Sequence, residues 1–137
     1  MSLFLFFSCQ SESTHKTFND PPKVTIVSHS DGASFFEGEE VLFFAQLSDS
    51  NHQNEDLQAT WSVDDIEICS AQSPNSEGIS QCSIEITEQA TEISVRVTDT
   101  QQAAARDAIV IDVQQNQAPI VTILSPQSEQ LYFEGDS

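Results

Sequence analysis

Two stretches of this chain concentrate side chains that bind cations: residues 49–56, DSNHQNED, and residues 99–107, DTQQAAARD. Asp49, Glu55, Asp56 and Asp99 offer carboxylates, and Asp20 offers another beside Asn19. Calcium is held by about six to eight oxygens from such carboxylates and amides. A fold that gathers the three segments therefore builds a calcium site, and one that does not leaves solvated acidic faces. The 49–56 run is not an EF-hand loop, because no Gly stands at its sixth position and no Glu at its twelfth. Catalytic chemistry has less to work with. His15, His29 and His52 are scattered, and no Ser sits in a G-x-S-x-G elbow. His52, Cys69 and Cys82 lack the close spacing of a His-Cys zinc site. Four Gly in the whole chain leave no phosphate loop or dinucleotide fingerprint. We expect no catalytic residues here, and no enzyme.

Cys69 and Cys82 flank SAQSPNSEGISQ, whose Pro74, Asn75 and Gly78 favour a turn. Facing each other across a predicted hairpin, they are expected to form a disulfide; the alternative is two buried thiols. A bridge would place the chain outside the reducing cytosol. The third cysteine, Cys9, ends the apolar run MSLFLFFSC, which is too short to span a bilayer. That run resembles the end of a bacterial lipoprotein signal peptide, which implies cleavage before Cys9 and lipid on it. No Lys or Arg precedes the run, so a start assigned too late is expected; the alternative is an apolar N-terminus without lipid. Residues 10–19 are polar, as in a tether.

Acidic residues number 22 against 4 Lys and Arg, a net charge of −18. Nucleic-acid phosphates demand cationic partners, so no nucleic-acid partner is expected. Anionic membranes are disfavoured too, leaving membrane contact only through a lipid anchor. Hydrophobic content of 38% with nine Phe nonetheless argues for a folded core.

The elements that must position the acidic segments are strands. Alternation of period two marks residues 23–28, 41–48, 57–63, 66–69, 80–87, 92–98 and 108–113. Val41, Phe43, Ala45 and Leu47 share one face, as do Leu57, Ala59, Trp61 and Val63. Its phase makes Trp61 a core residue and not an exposed ligand platform. Gln101–Asp107 is too short for an independent helix and reads as an alanine-bearing loop. Phe35-Phe36 is expected to pack a corner after the first strand. About seven strands around one Trp predict an all-β, immunoglobulin-like two-sheet sandwich. In such a sandwich the loops at 49–56 and 99–107 and the lead-in at Asn19-Asp20 lie at one end.

The chain also repeats itself. Residues 19–40 align without a gap on residues 116–137, offset by 97, with nine of the 22 pairs identical, among them Asn19/Asn116 and Gly38/Gly135. A period of that length suits one small domain. The expected organisation is a signal segment at 1–9, a tether at 10–19, a domain at 20–115, and at 116–137 the first strand of a truncated second repeat.

The run EGEEVLFFAQLSD…LQATWSVDD…TEISVRVTDT…AIVIDV resembles the PKD and bacterial Ig-like modules of extracellular proteins. The likeness covers nearly all of residues 20–115, although many such modules lack a pair like Cys69/Cys82. It implies a non-catalytic exported module at the cell envelope or outer surface, lipid-anchored or secreted. There it would serve as a spacer or adhesion element in a tandem array, with neighbouring Ig-like repeats, and a surface protein or carbohydrate, as partners. It also implies calcium at the loop-bearing end. The alternative is an accessory domain of a larger secreted hydrolase, since a fold does not decide a function.

Overall fold

The computed structural model describes residues 18–124. Cys9, most of the tether and the latter part of the second repeat lie outside the described residues. Eight strands form: β1 (Lys23–Ile26), β2 (Ala33–Phe36), β3 (Glu40–Ser48), β4 (Gln58–Val63), β5 (Ile66–Gln72), β6 (Ile79–Glu85), β7 (Glu92–Thr98) and β8 (Ala104–Gln114). Between β3 and β4 lies a short 3₁₀ turn, Asn54–Asp56. The strands make two sheets, one in the order β1-β3-β6 and the other in the order β2-β8-β7-β4-β5. This is the immunoglobulin-like sandwich that the alternation predicts.

Burial follows the period-two pattern because one face of each sheet looks inward. β3 contributes Val41, Phe43, Ala45 and Leu47, all buried, while its alternate residues face outward. β4 contributes Ala59 and Trp61, and Leu57 just before the strand is fully buried; Val63 packs against the core but stays partly exposed. Ile93, Val95 and Val97 complete the opposing layer on β7. Phe43 and Trp61 meet across the sheets with ring centroids 6.4 Å apart. Trp61 Nε1 donates to Ser80 Oγ at 2.9 Å, so the one buried polar group of that ring is satisfied from the facing sheet.

Two elements differ from the sequence reading. Residues 33–36 are a strand and not merely a corner: β2 runs parallel to β8, from Ala33 opposite Ile111 to Phe36 opposite Gln114. Its Phe35 is buried and its Phe36 exposed. Residues 104–107 are not loop but the start of β8, with Ala104 to Asp107 paired to Thr98 to Val95. The backbone hydrogen bonds of a central ladder outweigh the helical preference of Ala104 and Ala105.

Because β1 lies in one sheet and β2 in the other, the chain must cross between them over residues 27–32. Ser28 Oγ accepts from Phe44 N at 3.0 Å on the first side. Asp31 Oδ1 accepts from Val110 N at 2.7 Å on the second. The His29 ring packs in between, with centroids 5.2 Å from Phe35 and 4.8 Å from Phe43. At the opposite edges, β5 and β6 are joined by the Cys69–Cys82 disulfide. Between them, Gly78 adopts φ +81, and a Cβ there would stand 2.4 Å from the Leu47 carbonyl oxygen, so only glycine fits. The Asp64-Asp65 pair, with φ of 47 and 66, makes the two-residue type I′ turn between β4 and β5. Residues 116–124 form no strand, and Ile120, Val121, Ile123 and Leu124 are exposed.

The bridge closes a loop with a sequence separation of 13. Replacing both cysteines with Ala should lower the unfolding free energy by about 3 kcal/mol, mainly through the freed unfolded chain. Urea denaturation of the two proteins measures this, and a loss below about 1 kcal/mol would mean that the bridge constrains little.

Candidate cation site at one end of the sandwich

The loop after β3 turns at once on its own aspartate. Asp49 Oδ1 accepts from Asn51 N at 2.7 Å and from His52 N at 3.2 Å. This Asx-type turn folds His52 back over the carboxylate. Its Nδ1 lies 3.3 Å from Asp49 Oδ1 and 3.9 Å from Asp99 Oδ2.

Asp99 directly follows β7 and organises the next loop in the same way. Its Oδ1 accepts from Gln101 N at 2.8 Å and Ala103 N at 3.0 Å. The turn is completed by Gln102 at φ 69. Asn19 then reaches in from the N-terminal lead, and its Nδ2 donates to Asp99 Oδ2 at 2.7 Å. Asp20 N donates to Asn51 Oδ1 at 2.9 Å, fixing the lead against the first loop. One ligand atom from each of Asp49, His52 and Asp99 falls within 4.8 Å of the others. Both carboxylate side chains are fully buried, and the imidazole retains 11% exposure. A cleft of about 240 Å³, lined by Phe18, Asn19, Asn51, His52 and Gln101, gives solvent access alongside.

Burial on its own would raise the Asp99 pKa. The Asn19 amide, the Ala103 and Gln101 amides and nearby His52 together outweigh it and hold the carboxyl below its ordinary 3.8. The charged form is the one that the loop is built to keep.

Of the five acidic residues singled out in the sequence, the structure brings Asp49 and Asp99 together. Asp20 lies at the margin, where its exposed carboxylate accepts from Ser50 Oγ at 3.2 Å. Glu55 and Asp56 stand exposed on the 3₁₀ turn, and among the described residues no hydrogen bond or ion pair ties them to the cluster. His52 is the ligand candidate that the sequence reading passed over. The available signal was the Asp-x-x-His spacing at the head of the loop, which puts ring and carboxylate on one side of a tight turn. Elsewhere, His29 Nδ1 is 2.9 Å from Ser28 Oγ, but that hydroxyl already accepts from the Phe44 amide and has a structural role.

Solved structures similar to this chain include fibronectin(III)-like modules of CbhA from Clostridium thermocellum, with a TM-score of 0.58 and 22% identity over 69% of this chain and 100% of that one. Titin M4 is similar with a TM-score of 0.51 and 14% identity, covering 72% of this chain and 100% of that one. No family model and no curated protein matches the sequence. These likenesses establish the fold, a sandwich of immunoglobulin-like and fibronectin III-like form.

Asp99 also makes a pH prediction. Its folded-state pKa is depressed, so its contribution to stability is complete above 3.8 and is lost as pH falls through the lower folded value. In chelator-treated buffer, Asn19→Ala should raise the Asp99 midpoint toward 3.8, so that the folded and unfolded values converge and the part of the acid loss of Tm that Asp99 contributes shrinks. Carboxyl carbon NMR reads the midpoint directly. A wild-type midpoint at or above 3.8 would show that the amides do not hold the charge.

Proposed function

We propose that this chain is an exported, non-catalytic surface module that acts as a spacer or adhesion element beside neighbouring Ig-like repeats. The observation that carries the reading is the Cys69–Cys82 bridge across one open edge of an immunoglobulin-like sandwich. Such a bond persists where thiols are not kept reduced. In this reading Cys9 bears the lipid and residues 10–19 form the tether. The acidic excess keeps an exposed, repeated module soluble. Among the described residues, no hydrogen bond links His52 to a hydroxyl or thiol, so its carboxylate neighbours do not extend into a nucleophile–base–acid line.

Source cells quenched in acid, alkylated and fractionated test this reading. The chain should appear in the envelope fraction or the medium, with Cys69 and Cys82 linked and Cys9 bearing the mass of a lipid. Recovery from the cytosol with three free thiols would overturn it. A polypeptide in the same fraction that continues into a hydrolase domain would favour the accessory-domain alternative instead.

A further inference from the structure

Among the described residues, three buried side-chain atoms have no hydrogen-bond partner: Asn19 Oδ1, Asp49 Oδ2 and His52 Nδ1. All three belong to the one cluster where the first loop, the second loop and the N-terminal lead meet. Buried polar atoms are nearly always satisfied, and an unsatisfied one is costly. Three together need a common cause. A hydrogen on His52 Nδ1 could be donated to Asp49 Oδ1, 3.3 Å away, but it would leave Asp49 Oδ2 and Asn19 Oδ1 as they are. What the three atoms share is a lone pair, which neutral imidazole, carboxylate and amide oxygen all offer. One cation accepts all of them.

We propose that Asp49, His52 and Asp99, with Asn19 Oδ1 as a further oxygen, bind a divalent first-row transition ion of the zinc class. The donor set decides against calcium. Imidazole suits zinc, copper, iron and nickel, whereas calcium prefers oxygen throughout. Calcium also wants about six to eight oxygens, yet Glu55 and Asp56 are outside the cluster and Asp20 is exposed at its margin. Zinc needs only four ligands at about 2.0–2.2 Å from oxygen and nitrogen, which places neighbouring ligands a little over 3 Å apart. The Nδ1 separations of 3.3 Å and 3.9 Å from the two carboxylates already approach that spacing. Asn19 is in place as well, since its Nδ2 touches Asp99 Oδ2. Two buried carboxylates meet a dication as a neutral assembly, and the cleft beside His52 is its route in. The site goes beyond the spacer reading and does not depend on it.

The test uses the full chain, stripped with a chelator and dialysed, then titrated separately with zinc chloride and calcium chloride. Calorimetry and competition with a chromogenic zinc indicator should give one zinc per chain and a raised Tm, with no shift from millimolar calcium. Asp49→Asn and His52→Gln should each weaken zinc binding at least about tenfold, whereas His15→Gln should not change it. The imidazole resonances of unaltered protein provide a check that needs no variant: one equivalent of zinc should move those of His52. Calcium binding without zinc, binding of neither, unchanged affinity in both cluster variants, or an unmoved His52 resonance would each overturn the proposal.

Discussion

A sandwich of two unequal sheets has two open edges, and this molecule closes each by a different bond. At one edge the chain itself crosses from β1 in the smaller sheet to β2 in the larger. At the other, the Cys69–Cys82 bond runs from β5 to β6. The two cysteines are placed by the centre of the core: Cys69 lies opposite Trp61 in its sheet, and Cys82 lies opposite Phe43 in the other. The Phe43–Trp61 contact between the sheets therefore has a covalent tie immediately beside it. Ser80, which accepts from Trp61 Nε1, is two residues from Cys82 on the same strand. Apolar burial alone is non-directional and lets sheets slide. A hydrogen bond and a disulfide at adjacent rungs fix the register of one sheet over the other.

That register aligns the ends of the sandwich. β3 and β7 lie in different sheets, yet Asp49 follows the end of one and Asp99 the end of the other, and both reach His52. A shift of the sheets by a single residue pair, about 7 Å along a strand, would separate the two carboxylates. Gly78 contributes here as well. Its carbonyl accepts from Leu47 N at 2.7 Å, two residues before Asp49, so the loop between β5 and β6 braces the strand that delivers the first carboxylate.

The sequence disclosed those parts of the fold that depend on one strand's own alternation. Val41, Phe43, Ala45 and Leu47 must share a face whatever they pair with, and so must Leu57, Ala59 and Trp61. β2 was hidden because Ala-Ser-Phe-Phe is four residues long and its partner is distant in the chain and parallel. The start of β8 was hidden because Ala104 and Ala105 have a local preference opposed to the ladder that captures them. The site divides in the same way. Convergence of the loops follows from sandwich topology, so Asp49 and Asp99 could be named from sequence. The exclusion of Glu55 and Asp56 depends on a 3₁₀ turn closed by Leu57 N donating to Asn54 O at 3.1 Å, a detail that composition does not encode.

With a net charge of −18, the molecule ought to keep every carboxylate in water, and among the described residues it does so for nearly all. Among the described residues Asp99 is the one acidic residue in the buried class, and Asp49 beside it has a fully buried side chain. Arginine does not neutralise them; Arg106 is spent at the surface on Glu92 and Asp65. Backbone amides of their own loops do part of that work, which makes each carboxylate the organiser of the turn that carries it. Asn19 adds the third segment, and it is among the residues that return unchanged at the 97-residue offset, as Asn116. Asn116 lies beside Phe36, Glu37, Gly38 and Glu39, on the far side of the domain from Asn19's own neighbours. The sequence thus repeats an amide that, in its first occurrence, ties the incoming chain to a buried charge. A charge that orders its own loop and then captures the preceding chain explains why so acidic a protein buries carboxylates at this end.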